Sequence, residues 1–249
     1  MDIFRAKALD PHSLFCKFLK NIGIGRVAFW LRLLVIKLEF MVKAGHNQRI
    51  IEYPWVLRQA GSGQGRTLLD VGCTLTLLDH ELLARGFHVV GLDLQDHTMR
   101  NYREQFVQAN MLDNGLPPET FDVILLVSTI EHVGLDTYSQ NLLDDEADIA
   151  AMRELRKLLK PNGLLLLTTP YEGKGPLRIF SWAKGMMERR YDSNRLAKLV
   201  EGFHILDSTF FLCRLRPRCR FFPVSKNVLD KLSSETCEGS LACLVLQKN

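Results

Sequence analysis

Apolar and polar positions follow a regular order from residue 66 onward. Apolar runs of strand length occur at 67–72 (TLLDVG), 87–93 (FHVVGLD), 105–110 (QFVQAN), 121–128 (FDVILLVS) and 164–170 (LLLLTTP). Segments with helical spacing lie between them at 77–86, 99–104 and 145–160. Thr76 is the predicted N-cap of the first helix, Gly86 its stop, and the sequence PNG the stop of the third. This alternation predicts a parallel, doubly wound α/β sheet.

Polar residues follow the carboxyl end of every predicted strand. They lie at Asp70–Thr76, Asp93–Asp96, Asn110–Asp113, Ser128–His132 and Thr169–Tyr171. Ligands of doubly wound sheets bind outside the carboxyl ends of the strands. The sequence therefore predicts one ligand site formed by these segments.

Asp93 has the position of a ribose-binding carboxylate. It lies 21 residues after Gly72, at the end of the second predicted strand, where an acid can accept both hydroxyl groups of a ribose. The alternative is a loop acid or helix N-cap.

The turn after the first strand distinguishes between cofactors. A pyrophosphate-binding turn carries the pattern GxGxxG, of which only Gly72 is present, and acids follow in the helix. This disfavours NAD. A cofactor with an amino-acid moiety tolerates the acids, since Asp70 or a nearby water can face its ammonium group.

Composition and charge narrow the class of protein. The 249 residues fit one α/β domain with elaborations. Six cysteines show no CxxC pair and no metal-type spacing with histidine, so we expect reduced cysteines, no metal site and a cytoplasmic protein. The polar N-terminus shows no secretory signal.

The N-terminal segment differs from the rest of the chain. Residues 1–43 hold eight Lys and Arg against three Asp and Glu, a balance of +5, and the other residues sum to −1. We predict a basic, apolar-rich helical extension or cap at 1–48 and a single domain at 49–249. Charges interrupt the apolar stretch 22–42, which argues against a membrane span. Packing on the domain is favoured, and peripheral membrane contact is the alternative.

Four segments together resemble a known family. They are LLDVGC with VVGLDLQ, FVQANMLDNGLPPETFDVILLVSTIEHVG, ELRKLLKPNGLLLLTTPY and RRYDSNRLAKLVEGFHILDS. They resemble successive motifs of the class I S-adenosylmethionine-dependent methyltransferases, in the small-molecule branch called type 11, over about residues 50–210. The resemblance implies a Rossmann-like fold with a mostly parallel, seven-stranded sheet. It also implies S-adenosylmethionine as cofactor and in-line methyl transfer to a small molecule or a glycan- or lipid-linked intermediate.

The resemblance also implies roles for single residues. It places Asp70, Gly72 and Cys73 at the methionine end of the cofactor, Asp93 on the ribose, Leu94 beside the adenine, Asn110 and Met111 at the adenine edge, and Ser128 under the sulfonium. Glu131 and His132 would face the methyl acceptor. His132 is the candidate base, because an unperturbed imidazole titrates near neutrality, and Glu131 would orient it or bind substrate. Alternatively, this pair anchors the loop.

The chain departs from the family pattern at four positions. Thr74 and Thr76 replace glycine in the first motif. If their backbone angles are ordinary, their hydroxyl groups face the cofactor. Otherwise, the β-branched side chains impair cofactor binding. Asn110 replaces the usual Asp, and its side-chain oxygen can still accept from an exocyclic amine. Asn162 replaces a common glycine and tolerates a turn.

Two further segments bear on the acceptor. Arg214, Arg216, Arg218 and Arg220 alternate, which in one strand would align them on one face, although Pro217 favours an edge strand or loop. They would hold an anionic group or form a solvated edge. The insertion 171–190 lies where a substrate lid would be, with Phe180 and Trp182 as stacking or packing residues.

Three functions follow from the sequence, and an active small-molecule methyltransferase is favoured. A catalytically impaired, S-adenosylmethionine-binding regulatory protein is the alternative because of the missing glycines. A Rossmann-type NAD oxidoreductase is disfavoured by the same turn. Nucleic acid as substrate is not supported, since the domain is near neutral and carries no recognised reader module.

Overall fold

The computed structural model describes residues 48–74, 76–96, 105–135, 144–173, 178–181, 187–214, 220–233, 236–237 and 239–249. All of them belong to one compact unit, Gln48–Asn249, and Met1–Asn47 form a second unit. The predicted extension, apart from Gln48, and its segment 22–42 therefore lie outside the described residues. Within the described ranges, no helix is long and apolar enough to cross a membrane.

Five parallel strands form one half of the sheet. They are β1 (Thr67–Val71), β2 (His88–Asp93), β3 (Gln105–Gln108), β4 (Phe121–Val127) and β5 (Leu159–Gly173), in the spatial order β3-β2-β1-β4-β5. All five apolar runs of the sequence pattern are strands. Every residue of β4 except Asp122 is buried, as expected for a strand covered on both faces.

Antiparallel strands complete the sheet beyond β5. In spatial order they are β10 (Leu241–Lys248), β8 (Phe203–Arg214) and β9 (Arg220–Val224). Two more strands, β6 (Arg178–Ser181) and β7 (Met187–Asp192), pair with each other, and β7 also pairs in parallel with the end of β5.

The mostly parallel, Rossmann-like sheet is confirmed, but the predicted number of seven strands is wrong. The described residues contain ten strands, eight of them on one continuous path. The additional strands have two local origins. The chain after β8 returns as the edge strand β9, and the insertion that follows β5 forms the β6–β7 hairpin.

Helices cover both faces of the sheet. They are α1 (Arg49–Ala60), α2 (Leu78–Ala84), α3 (Ala147–Leu158), α4 (Ser193–Leu199) and α5 (Lys226–Leu229), with a 3₁₀ turn at Ile130–His132. One apolar cluster buries α3, α4 and α5 against the sheet, and a second cluster buries α1 and α2 against the opposite face. This arrangement is the doubly wound architecture predicted from the strand and helix order.

Element boundaries differ from the sequence predictions at two places. Thr76 is not an N-cap, because α2 begins at Leu78 after Leu77 and has no side-chain cap. Gly86, with φ of +84°, ends the turn after α2 as predicted. The PNG segment lies inside β5, which begins directly after α3, and Asn162 has φ of +62°. The predicted helix at 99–104 lies outside the described residues.

The arginine-rich segment is not a single strand. Arg214 ends β8, Arg220 begins β9, and the two face each other as cross-strand partners in a hairpin. Directly opposite residues of an antiparallel pair lie on the same face of the sheet, so Arg214 and Arg220 share a face, and a face common to all four arginines stays a prediction. The described residues do not include Arg216 and Arg218. They also do not include Trp182 or the side chain of Phe180, so the predicted lid stays a prediction.

The core packing predicts an unequal effect of the same substitution at two leucines. Leu155 of α3 is fully buried, whereas Leu206 of β8 is 48% exposed. Leu155→Ala should lower the free energy of unfolding by about 2–5 kcal/mol through lost burial and a residual cavity. Leu206→Ala is the matched control and should change it by no more than about 0.5 kcal/mol. Urea denaturation measures both, and equal losses would contradict this account of the core.

Candidate active site

The predicted site residues lie at the same edge of the sheet. The end of β1 and the turn after it carry Asp70, Gly72 and Cys73, and the end of β2 and the turn after it carry Asp93 and Leu94. The turn after β3 carries Asn110 and Met111, and the turn after β4 carries Ser128, Glu131 and His132. These four strands are neighbours in the order β3-β2-β1-β4. Because parallel strands have their carboxyl ends at one edge, the fold brings together residues as far apart in the sequence as Asp70 and His132.

Gly72 lets the turn after β1 pack directly against the turn after β4. Its φ is +77°, and a Cβ at this position would lie 2.4 Å from Thr129 Oγ1. Gly72 N donates to Leu92 O at 2.8 Å, and Thr129 Oγ1 donates to Val127 O at 3.1 Å. A side chain at residue 72 would therefore be strained and would separate the two turns. Cys73 follows in a fully buried position.

Asp93 closes the same turn from the end of β2. Its Oδ2 accepts from Thr74 N at 2.9 Å, and its Oδ1 accepts from Gln95 N at 3.0 Å. The carboxylate thus acts as a loop acid, the alternative considered from the sequence. A carboxylate has about four acceptor sites, so two bonds leave capacity for the hydroxyl groups of a ligand.

Two buried polar atoms lie at the turn without a hydrogen-bond partner in the described part of the chain. They are Asp70 Oδ2 and Thr76 Oγ1. The pKa of Asp70 is raised to about 7, chiefly by burial, with Asp79 and Asp93 adding to the rise and Arg49 opposing it. Both atoms can accept from a ligand donor, and a cationic donor suits the carboxyl group.

Neither of the two threonines that replace glycine adopts a left-handed backbone conformation. Neither Thr74 nor Thr76 has a positive φ, so their β-branched side chains cause no backbone strain there. Thr74 Oγ1 donates to Gln95 O at 3.2 Å, which directs this hydroxyl group to the end of β2. The hydroxyl of Thr76 is the unpartnered one.

The segments after β2 and β3 offer apolar contacts. Leu94 is 40% exposed, although it is a large apolar residue, and Met111 is partly buried. Asn110 Oδ1 accepts from Leu112 N at 3.0 Å. The side-chain oxygen of Asn110, which was predicted to accept from an amine of the ligand, therefore accepts from a backbone N–H group of its own turn. One further lone pair remains on this oxygen for a ligand donor.

Helix α1 contributes residues that the sequence analysis missed. Glu52 is fully buried, and its Oε1 accepts from Thr168 Oγ1 at 2.6 Å and from Ser128 Oγ. Its Oε2 accepts from Arg49 Nη1 at 3.1 Å, and the same nitrogen donates to Val127 O at 3.0 Å. Ser128 has φ of +43°, so Glu52 stabilises a strained residue at the end of β4.

Arg49 and Tyr53 add to the charge balance at this edge. The Arg49 guanidinium lies 5.7 Å from the centre of the Tyr53 ring. Burial raises the pKa of Tyr53 to about 12, with Arg49 opposing and Asp70 and Glu52 adding to the rise. The sequence did contain a pattern that predicts a buried position for Glu52. Glu52 lies three residues before Trp55, which is helical spacing, and the helix buries both on one face.

Glu131 and His132 lie on the 3₁₀ turn after β4. His132 Nδ1 lies 2.6 Å from Met187 O, and because a carbonyl oxygen only accepts, Nδ1 carries the proton. In a neutral imidazole Nε2 then has the lone pair. Burial is the main cause that lowers the pKa of His132, which keeps the ring neutral at neutral pH.

Glu131 is almost fully buried. Burial, with Glu188 and Glu52 adding to it, raises the pKa of Glu131 well above its ordinary value. Thr169 Oγ1 lies 3.5 Å from its Oε2, at the outer limit of a hydrogen bond. A carboxyl group with a raised pKa and an imidazole with a lowered pKa thus occupy adjacent positions on one turn.

The chain matches known proteins over this region. Residues 69–167, which include every predicted site residue, match a family described as "Methyltransferase domain". A ubiquinone biosynthesis O-methyltransferase of Aliivibrio fischeri (strain MJ11) is 26% identical over 145 residues, which are 53% of this chain and 56% of that protein. The chain thus spans about half the length of the curated relatives it matches.

Solved structures share the fold. The 1,6-didemethyltoxoflavin-N1-methyltransferase of Burkholderia thailandensis, with bound 1,6-didemethyltoxoflavin and S-adenosylhomocysteine, has a TM-score of 0.57 and 16% identity, and covers 100% of this chain and 93% of its own. The [4+2]-cyclase SpnF has a TM-score of 0.53 and 19% identity, with 79% of each chain covered. These structures confirm the predicted fold, and SpnF is a cyclase on the same fold.

The buried carboxyl group of Asp70 predicts a pH dependence of stability. In the folded protein it keeps its proton up to about pH 7, whereas in the unfolded chain it ionises near pH 4. The folded state therefore binds more protons between these values, and the free energy of unfolding falls as pH rises through this window.

Asp70→Asn removes the titrating group. Urea denaturation between pH 4.5 and 8 should show the Asn variant gaining stability relative to the wild type as pH rises. Asp207→Asn, at an exposed carboxylate of β8, is the control and should follow the wild type. Parallel curves for Asp70→Asn and the wild type would contradict the raised pKa.

Proposed function

We propose that the chain transfers the methyl group of S-adenosylmethionine to a hydroxyl oxygen of a small molecule. The proposal rests on the match of residues 69–167 to the family described as "Methyltransferase domain" and on the fold shared with solved methyltransferases. The observation that carries the proposal is the extent of the family match, which includes every residue from Asp70 to His132. The acceptor atom is argued below from His132.

The turns after β1, β2 and β3 have groups that fit the cofactor. The unpartnered Asp70 Oδ2 and the Thr76 hydroxyl suit the ammonium of a methionine moiety. The remaining acceptor capacity of Asp93 suits the ribose hydroxyl groups. Leu94 and Met111 provide apolar contact for the adenine, and Ser128 lies at the end of β4, next to the turn that would face the transferred group.

His132 supports a hydroxyl group as acceptor. S-adenosylmethionine supplies a sulfonium-bound methyl group that a nucleophile displaces in line. A hydroxyl oxygen must lose its proton in this reaction, and His132 Nε2 has the lone pair to take it. Burial raises the pKa of Glu131 and so favours its protonated form, and in that form the carboxyl group can donate a hydrogen bond that orients the acceptor. O-methyl transfer also agrees with the name of the Aliivibrio relative.

The class of acceptor is a small molecule, of which a glycan- or lipid-linked intermediate is one form. A lipid-linked acceptor would place the enzyme at a membrane surface. The basic, apolar segment 22–42 has a composition that suits such a contact. The regulatory alternative differs in one respect, since it retains cofactor binding without turnover.

Calorimetry separates these functions. We expect the full chain to bind S-adenosylmethionine and S-adenosylhomocysteine and not NAD. Incubation with methyl-labelled S-adenosylmethionine and a panel of phenols, catechols and sugars should label at least one hydroxyl group. Failure to bind either sulfur compound would refute the proposal. Tight binding with no labelled product from any acceptor would favour the regulatory protein.

Asp93 provides a residue-level test. Asp93→Ala should weaken the binding of S-adenosylhomocysteine at least about tenfold, because it removes both the ribose acceptors and the two bonds that close the turn. Asp207→Ala, which removes an exposed carboxylate of β8, is the control and should leave binding unchanged. An unchanged dissociation constant for Asp93→Ala would show that the ribose lies elsewhere.

A further inference from the structure

Strand β7, from the insertion after β5, contacts the turn that carries Glu131 and His132 at every second residue. The three contacts are Met187 O with His132 Nδ1 at 2.6 Å, Arg189 Nη1 with Val133 O, and Tyr191 OH with Ile130 O at 3.4 Å. The side chains of Arg189 and Tyr191, two residues apart, share one face of the strand, and Met187 contributes its backbone carbonyl. Together these three residues of β7 contact the turn from residue 130 to residue 133.

Arg189 makes the central contact of this set. It is the largest fully buried side chain among the described residues. Its Nη1 donates to Val133 O, and its Nη2 donates to Asp144 O at 2.7 Å. One planar guanidinium thus holds the two ends of the segment between β4 and α3, a geometry for which lysine has no equivalent.

Gly134 shows how closely this junction is packed. Its φ is +73°, and a Cβ there would lie 2.4 Å from Ala147 Cβ and 3.5 Å from Arg189 Nη2. Asp144 N donates to Gly134 O at 2.8 Å. The backbone after His132 therefore has little room to shift while the guanidinium is in place.

Strand β7 is in turn fixed to the main sheet. Arg190 donates to Glu172 Oε1 at 2.8 Å and to Glu188 Oε1 at 3.0 Å, and the side chains of Arg190 and Glu172 are buried. Tyr191 pairs with Tyr171 in the parallel bridge to β5. The position of the turn is therefore set relative to β5 through β7.

We propose that Arg189 is a positioning residue for His132. Its two hydrogen bonds hold the turn at a distance from β7 at which Met187 O accepts the Nδ1 proton. This keeps the lone pair on Nε2, where a base needs it. The proposal rests on the proposed function for its catalytic meaning, whereas the effect of Arg189 on the His132 tautomer does not depend on any substrate.

The test is the tautomer of His132, observed by NMR of the full-length chain labelled with 15N-histidine. His132→Gln assigns the signal. In the wild type at pH 7.5 we expect the Nδ1–H form to dominate. Arg189→Lys keeps the positive charge but cannot make both hydrogen bonds of the planar guanidinium group. The variant should shift the tautomer equilibrium toward the Nε2–H form by about fivefold, the change expected for one net hydrogen bond.

Arg195→Lys is the matched control. Arg195 is a second buried arginine with a forked set of contacts, to Asp148, Glu146 and the carbonyl of Asp145. These contacts hold the start of α3, and none of them is to residues 130–133. The connection to the turn is indirect, through Asp148 Oδ2, which also accepts from Tyr191 OH at 2.9 Å. Arg195→Lys should lower thermal stability and leave the His132 tautomer unchanged.

Each outcome decides the proposal. An unchanged tautomer in Arg189→Lys, or an equal shift in Arg195→Lys, would overturn it. If Arg189→Lys does not fold, Arg189→Gln retains one donor for Val133 O and replaces it in the test. Failure of both variants to fold would show that Arg189 is required for folding, and this result would also overturn the proposal.

A calorimetric titration with S-adenosylhomocysteine separates this proposal from the proposed function. Among the described residues, Arg189 has no hydrogen bond to the turns assigned to the cofactor, so Arg189→Lys should bind S-adenosylhomocysteine within about twofold of the wild type. Absence of binding by the wild type would refute the methyltransferase function and leave the tautomer result valid.

Discussion

The buried carboxylate of Glu52 connects the parts of this site. Burying a charged group is costly unless hydrogen bonds compensate, and here Ser128, Thr168 and Arg49 all donate to it. These donors come from the residue after β4, from within β5 and from α1 itself. The two strands and the helix therefore have one favourable relative arrangement, and Ser128 keeps its strained backbone within it. The turn with Glu131 and His132 begins directly after this junction.

Carboxyl groups dominate the electrostatics of the strand ends. Asp70, Asp93 and Glu131 come from three different strands, and the pKa values of Asp70 and Glu131 rise because burial disfavours their charged forms. Asp93 has a different environment, since two backbone N–H groups donate to it. Such an edge favours ligands that carry hydroxyl groups and positive charge, and S-adenosylmethionine has both.

The two halves of the site have different structural origins. The half proposed for the cofactor is built from short turns directly after β1, β2 and β3, where backbone hydrogen bonds and one glycine determine the geometry. The half proposed for the acceptor depends on β7, whose contacts with residues 130–133 include a backbone carbonyl and a buried arginine. Insertions after a strand can change without altering the sheet, so the second half can vary independently of the first.

Local patterns in the sequence predicted much of the fold. Apolar runs of strand length, helical spacing and the stop at Gly86 depend on neighbouring residues, so the five parallel strands and the doubly wound arrangement could be derived from them. Gly72 and Asp93 were recognisable for the same reason, since their positions at strand ends follow from the pattern. The strand count was wrong because β6, β7 and β9 are short elements whose pairing depends on tertiary contacts.

Only the tertiary structure decided how the side chains of the site are held. Glu52 bonds to Ser128 across 76 positions and to Thr168 across 116, and His132 bonds to Met187 across 55. Such pairs leave no periodic signal in the chain, because each partner is selected by the packing of separate elements. The sequence by itself determined which chemical groups lie at the strand ends. The tertiary structure determined the tautomer of His132, the raised pKa of Glu131 and the bonds of Asp93, because these depend on burial and on distant donors and acceptors.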